Sequence, residues 1–307
     1  MNSKLYFLGT SCMVPTKDRN HISVALEFGG EIFLFDCGEG TQNQIKKMKL
    51  HIGKISKIFI SHWHGDHTLG LGGLIQTLSN TDNVDKIEIH GPKYSKRYVE
   101  YILKSSIFDT SIPIEVFEHI PKKKELLKIV NNGDYEIFCA KLKHSVDCIG
   151  YRFCQKDTLN IDTKKLLKIA PLLEKSPILS RAKMGYDIEY DNKIIKYDEI
   201  TYKKEGLKIS IVLDTRPCQE INLLANHCDY LVIEATYSKK QIKKAKDCEH
   251  LIAEESAQIA LESDVKNLYL THFSQRYKDV REIEEEAKAI FKNTNISYDF
   301  MSVNLKK

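Results

Sequence analysis

Three features of the sequence predict an α/β fold built in layers, with chemistry along one sheet edge. Short apolar strands alternate with helix-like segments, which points to α/β layers and away from an all-β sandwich. A hairpin interrupts the alternation where Ile22–Phe28 and Glu31–Phe35 flank Gly29-Gly30, a two-residue turn. Four separate strands end in ligand-type side chains, His62, His144, Asp214 and His272. Convergence of those four ends at one edge is the economical explanation.

Bulk properties bound the rest. At 307 residues the chain allows one large domain or two modest ones. With 42% hydrophobic and 29% charged residues, its composition is that of an ordinary soluble globular protein. The net charge of +4 permits an anionic partner without demanding one, so a nucleic-acid reading must rest on where the lysines cluster. No apolar run is long enough to cross a bilayer. Met1-Asn2-Ser3-Lys4 leads into a short strand without the apolar core of a signal peptide. The eight cysteines form no Cys-x-x-Cys pair, which argues against a cysteine-rich structural zinc and fits reduced thiols in a cytoplasmic protein.

In chain order, Lys4–Gly9 reads as a strand running into Gly9-Thr10-Ser11. Pro15-Thr16-Lys17-Asp18-Arg19-Asn20 follows, a polar loop whose two cations, Lys17 and Arg19, are either simply solvated or a clamp for phosphate or base. After the hairpin, Asp36 to Thr41 is an Asp- and Gly-rich turn before a helix carrying Lys46, Lys47 and Lys49. Ile58-Phe59-Ile60 then reads as a buried strand. It ends in Ser61-His62-Trp63-His64-Gly65-Asp66-His67, with helical spacing resuming at Leu71, Leu74, Ile75 and Leu78. One catalytic zinc takes three protein ligands. Four ligand side chains in one short loop, with more to come, suit two ions.

Lys86–His90 is a strand stopped by Gly91-Pro92, with a helix from about Lys93 to Lys104. Tyr135–Leu142 alternates as a strand and delivers His144; Ile149–Phe153 continues as its partner. From about Gln155 to Tyr202 the character changes. Between residues 163 and 184, Lys164, Lys165, Lys168, Lys175, Arg181 and Lys183 face only Glu174 as an opposing charge, while Leu166, Leu167 and Ile169 alternate with them. Two readings stand here, an amphipathic insertion packed on the body and a basic arm gripping a phosphate backbone.

Leu207–Leu213 ends in Asp214-Thr215-Arg216-Pro217, with Pro217 suited to opening a helix. A carboxylate at the end of a buried strand needs a partner, and a metal ion is one. Asp229–Ile233 leads to Glu234-Ala235-Thr236, and a lysine-rich segment precedes Glu249-His250, read as the start of a helix. Asn267–Leu270 leads to Thr271-His272-Phe273-Ser274. A helix from Asp279 with Val280, Ile283, Ala287 and Ile290 on one face precedes a last strand, Ile296–Phe300.

The His62-x-His64-x-Asp66-His67 loop with His144, Asp214 and His272 resembles the motif series of the metallo-β-lactamase superfamily. That implies an αββα sandwich of two mixed β-sheets flanked by helices, with two zinc ions at the sheet edges. Pro15 to Asn20, Lys143-His144 through Arg152, Asp214-Thr215-Arg216 and Thr271 to Tyr277 resemble, more closely, the short form of the transfer-RNA 3′-processing endonucleases, the ribonuclease Z family. The resemblance spans nearly the whole chain. It departs at Ile233, where the family usually has histidine, at Leu251-Ile252, and at Ser176-Pro177 in place of a glycine-proline motif.

The resemblance implies one domain over 1–307 with a protruding tRNA-binding arm inserted at 156–203. It implies two zinc ions per subunit, one on His62, His64 and His144, the other on Asp66, His67 and His272, with Asp214 between them. Asp66 is the expected general base, His250 the acid, and Glu234 the group orienting His250. Lys17, Arg19, Lys164, Lys165, Lys168, Arg181 and Lys183 are the expected RNA contacts. Precursor tRNA is the implied substrate and a homodimer the implied assembly. The rival enzymatic reading is hydrolysis of a small phosphodiester, lactone or thioester; the non-enzymatic one is RNA binding on an inactive zinc fold.

Overall fold

In the computed structural model, which describes residues 3–307, central strands carry apolar side chains on both faces. In β1 (Ser3–Gly9), Leu5 and Phe7 enter one buried cluster, while Tyr6 and Leu8 enter another. Successive side chains of a strand point to opposite faces, so such a strand has to be covered on both. β2 (Ser23–Phe28), β3 (Glu31–Phe35), β4 (Ile55–Phe59), β5 (Ile87–Gly91) and β6 (Ile114–Glu118) follow in spatial order beside β1. From β3 to β6 the pairing is parallel. The β2–β3 turn holds Gly29 and Gly30 at φ 60° and 92°, the left-handed geometry a two-residue hairpin requires.

β7 (Leu127–Asn131), β8 (Tyr135–Lys141) and β9 (Ile149–Gln155) open the second sheet. After an insertion, β14 (Lys208–Val212), β15 (Tyr230–Glu234), β16 (Asn267–Thr271) and β17 (Thr294–Ile296) complete it in the order β17-β16-β15-β14-β9-β8-β7. β18 (Ser302–Leu305) returns to the first sheet and pairs with β1. The two sheets meet through aromatic side chains. Phe28 packs on Phe153, Phe33 on Tyr135, and Phe59 on Tyr151, with ring centroids 5.0, 5.0 and 5.2 Å apart.

Helices α1 (Thr41–Lys47), α2 (Gly65–Thr68), α3 (Leu71–Ser79) and α4 (Ser95–Leu103) lie on the first sheet's side. Leu71, Leu74, Ile75 and Leu78 of α3 seal its outer face, on the spacing the sequence displays. The insertion holds β10 (Thr158–Ile161), α5 (Thr163–Ile169), α6 (Leu179–Lys183), β11 (Ile188–Tyr190), β12 (Lys193–Ile195), α7 (Tyr197–Ile200) and β13 (Thr201–Lys204). Helices α8 (Gln219–Ala225), α9 (Ile242–Asp247), α10 (Ala253–Glu262) and α11 (Arg281–Ile290) follow. Of these, α8, α10 and α11 cover the second sheet. The layers therefore run helix, sheet, sheet, helix, the expected αββα sandwich.

Several local expectations change. Pro217 lies before α8, whose first residue is Gln219, because Cys218 is still extended. Glu249-His250 does not start a helix; it sits in the link between α9 and α10, with Glu249 at φ 58°. The stretch expected as a last strand, Ile296–Phe300, is mostly the link between β17 and β18, because Phe300, at φ 70°, turns the chain there. In the insertion only Leu166 of the three alternating apolar residues is buried, while Leu167 and Ile169 face solvent. Leu166, Leu173, Leu179, Ile188, Ile195 and Ile200 form a separate small core there, so the insertion has its own packed interior.

Candidate metal centre

The first half of the site is set by β3 and β4. Tyr151 Oη donates to the Ile60 carbonyl at 2.6 Å, fixing the chain just before His62. Asp36, one residue past β3, accepts from the Ser61 amide and the Ser61 hydroxyl, both at 2.7 Å. The same carboxylate faces His67 Nδ1 at 2.6 Å. His64 caps the four-residue α2, which carries Asp66 and His67. A Cβ on Gly38 would lie 2.4 Å from the Asp66 carbonyl oxygen, so only glycine lets the turn after Asp36 pass under this loop.

The second half comes from β8, β14 and β16. β14, β15 and β16 are parallel, and β9 is antiparallel to both β14 and β8. β8 therefore shares their direction, and His144, Asp214, Glu234 and His272 emerge at one edge. Asp36, Asp214 and His272 adopt φ of 55°, 34° and 62°. Left-handed backbone is unfavourable for non-glycine residues and tends to collect at functional sites; here it turns each side chain in at its strand end.

The donor atoms fall into two sets that share Asp214. Asp214 Oδ2 is 3.6 Å from His62 Nε2 and 3.8 Å from His144 Nε2. His64 Nδ1 completes that set, 2.9 Å from His62 Nε2 and 3.4 Å from His144 Nε2. Asp214 Oδ1 is 3.4 Å from His67 Nε2 and 3.2 Å from His272 Nε2. Asp66 Oδ2 joins these at 3.5 and 3.6 Å. Donors about 2.0–2.1 Å from a tetrahedral ion stand roughly 3.3–3.4 Å from one another, so both sets have the right spread.

Hydrogen bonding supports the fit. Asp66 Oδ1, His67 Nε2, Asp214 Oδ1 and His272 Nε2 are buried and have no hydrogen-bond partner in the protein. Each such group costs about 1–3 kcal/mol when left unsatisfied, and a cation is the partner this donor set suits. The opposite ring nitrogens are occupied. His62 Nδ1 meets Ser61 Oγ at 3.0 Å, His144 Nδ1 the Glu249 carbonyl at 3.2 Å, and His272 Nδ1 Thr236 Oγ1 at 3.1 Å. Such outer contacts fix which nitrogen is presented to a metal.

Electrostatics distinguish the two sets: burial disfavours charge on His67 and His272, but Asp214 outweighs it and raises both, His272 to about 10, so a cation bound there would displace their protons. Burial, reinforced by His67, keeps the His62 imidazole well below its usual value and so neutral, as a ligand must be. Burial alone would raise Asp214, but His272, His67 and His250 outweigh it and hold the carboxyl well below the carboxylate range. Two negative carboxylates, Asp66 and Asp214, thus sit in a buried cage of imidazoles.

His250 stands beside this cage. Its Nδ1 lies 3.2 and 3.1 Å from the two oxygens of Glu234 and 3.9 Å from Asp214 Oδ2. Burial disfavours its charge, but Glu234 and Asp214 overcome this and push it up to about 12. Glu234 is itself fully buried and accepts from the Thr215 amide and Thr236 Oγ1, both at 2.6 Å.

Other residues at the site gave no recognisable signal in the sequence. Asp36 lay within an ordinary-looking turn. Met13 donates its amide to Asp66 Oδ2 at 2.8 Å. Cys12 is buried with its sulfur close to Asp66 and His272, the three donor atoms within 4.8 Å of one another. Substituting Asp36 by alanine should lower metal affinity by about 10- to 100-fold, because His67 loses the partner on its Nδ1. Competition with a chromophoric chelator measures this.

The expected RNA contacts divide. Lys17, Lys164, Lys165, Lys168, Arg181 and Lys183 are exposed, and among the described residues none of them forms an ion pair. Arg19 is placed differently. Its guanidinium turns inward and donates to the carbonyls of Ser274 and Tyr277, at 3.3 and 2.5 Å. Through Nη2 the half-buried arginine ties the proline loop to the chain after His272.

Comparison with known proteins agrees with this geometry. A family model described as anti-Pycsar protein Apyc1 matches residues 3–153. A ribonuclease Z of Methanococcus maripaludis is 39% identical, covering 99% of this chain and 99% of its own. One from Bacillus cereus is 36% identical over 96% and 97%. The crystal structure of human tRNase Z, short form, superposes with a TM-score of 0.70 at 26% identity, covering 98% of both chains. A full-length likeness of that degree, in a chain that gathers these seven side chains where strands of the two sheets end, has one reading: the protein belongs to the ribonuclease Z family, nucleases of the metallo-β-lactamase fold.

Proposed function

We propose that this protein is a zinc-dependent endoribonuclease that removes the 3′ trailer from precursor tRNA, leaving a 3′-hydroxyl on the tRNA and a 5′-phosphate on the trailer. The observation that carries the reading is Asp214, whose two oxygens each serve a different donor set. His62, His64 and His144 with Asp214 would hold one zinc, and Asp66, His67 and His272 with Asp214 the other. Two divalent cations, when bound, lower the pKa of water toward about 7 and neutralise phosphate charge.

The chain's own groups do the rest. Asp66, held by the Met13 amide, takes the proton of the attacking water. Attack at phosphorus breaks the bond to the ribose 3′-oxygen, which leaves needing a proton. His250, kept protonated by Glu234, donates it. Replacing His250 by alanine should slow turnover by about 10²–10⁴-fold while zinc content is retained; loss of zinc would remove the acid assignment. The exposed cations at 156–203 serve as the arm that grips tRNA, and Lys17 lies in the proline loop beside the site. The family resemblance supports a cytoplasmic homodimer in which each arm reaches tRNA on the other subunit. Light scattering of the purified protein tests the dimer.

The deciding experiment incubates protein and zinc with a tRNA bearing a 3′ trailer and sequences the product ends. Cleavage at the trailer junction, with a 3′-hydroxyl and a 5′-phosphate, is expected. An intact precursor beside rapid hydrolysis of a small diester would favour a small-molecule phosphodiesterase.

A further inference from the structure

A cleft of about 660 Å³ opens beside the metal donors, with His64 and His144 in its wall. Its other wall carries Trp63, Lys93, Tyr94 and Tyr98. The rings of Trp63 and Tyr98 are stacked, with centroids 5.2 Å apart and planes 21° apart. Trp63 Nε1–H donates to Ser95 Oγ at 2.9 Å, which fixes the indole at the rim. Tyr94 and Tyr98 are 48% and 40% exposed. Lys93 Nζ stands 4.6 Å from the centre of the Tyr94 ring, and Tyr94 holds φ at 71° as the N-cap of α4.

Trp63 packs partly on the core of the first sheet, but packing does not account for Tyr94 and Tyr98, which stay exposed. Large aromatic side chains left partly in water forgo much of their burial energy. Trp63 sits between His62 and His64, and Tyr94, next to Lys93, holds a left-handed backbone that only a surrounding constraint maintains. Aromatic faces combined with cations are what single-stranded nucleic acid recognises: bases stack, and the backbone meets positive charge.

We infer that this cleft is a stacking subsite for one unpaired nucleobase adjoining the scissile phosphate, with the base against the Trp63–Tyr98 pair and Tyr94 and its phosphate toward Lys93. The inference rests on the ribonuclease reading above and adds to it a site for a base. Every base has a π face, so the subsite tolerates any sequence. The base comes either from the trailer or from the 3′ end of the tRNA.

Trp63 is the only tryptophan in the chain, so its emission reports on the cleft without turnover. Titrating the zinc-loaded protein with an unstructured RNA pentamer, under conditions where it stays intact, should quench that emission. A pentamer of abasic sugars should leave it nearly unchanged. Tyr98→Ala should weaken pentamer binding by roughly 5- to 100-fold, and Tyr98→Phe, which keeps the ring, should restore it. Single abasic substitutions in precursor tRNA, placed on either side of the cleavage point, then identify the source. At the true position the substitution raises KM in the wild type but adds nothing in Tyr98→Ala. Equal quenching by the normal and abasic pentamers, or abasic costs identical in both proteins at every position, would overturn the inference. Quenching with an uncut precursor would sink the tRNA reading and keep the subsite; correct cleavage without quenching would do the reverse.

Discussion

Replacing Asp214 by alanine should empty the metal centre and abolish precursor cleavage together. Its carboxylate is the one group that offers an oxygen to each donor set, Oδ2 toward His62 and His144 and Oδ1 toward His67 and His272. Removing an outer partner of a metal ligand costs about 10- to 100-fold in affinity. Losing a ligand shared by both sets should exceed that range for both ions. Asp214→Asn should fail nearly as badly, since the amide keeps the shape and discards the charge that offsets the imidazoles. Metal content by elemental analysis and cleavage of a trailer-bearing tRNA are the two readouts. Full metal content with lost activity would mean that Asp214 acts in the chemistry and not in holding cations.

Deleting roughly residues 157–202 should cripple cleavage of precursor tRNA and spare hydrolysis of a small diester. The excision is structurally mild. The Gln155 amide donates to the Leu207 carbonyl at 2.8 Å, so the two ends of the insertion already lie side by side. The removed core of Leu166, Leu173, Leu179 and Ile188 is separate from the clusters of the main body. The exposed Lys164, Lys165, Lys168, Arg181 and Lys183 leave with it. We expect kcat/KM for precursor tRNA to fall by about 10²-fold or more, and the salt dependence of binding to flatten by about 0.9 per lost phosphate contact. Equal loss on both substrates would show that the insertion supports the site itself.

Much of the candidate centre was legible because its donor side chains sit where strands stop. An apolar run ending in His62, Asp214 or His272 shows both the strand and the side chain that its end presents. His250 was also in view, although its setting was not: the left-handed Glu249 after α9 leaves no pattern in a single sequence. Asp36 was hidden for a similar reason, since an Asp-Gly turn after a strand is common and its contacts with Ser61 and His67 are 25 and 31 residues away. The anchoring of Arg19 was equally hidden, because its partners lie more than 250 residues along the chain. β6 and β7 went unread as strands. Each is the last strand of its sheet and half-exposed, so neither has the continuous apolar run that marks β4 or β15.

The origin of the donors has a consequence for cohesion. His62, His64, Asp66 and His67 belong to one sheet, and His144, Asp214 and His272 to the other. Cations seated among them would act as cross-links between the two halves of the sandwich, beyond what the aromatic interior supplies. Binding that occurs only in the folded state adds stability as RT ln(1 + [M]/Kd), about 2.7 kcal/mol at a hundredfold excess over Kd. Resistance to unfolding would then be tied to metal supply, and a shortage of the metal would cost folded protein as well as catalytic turnover.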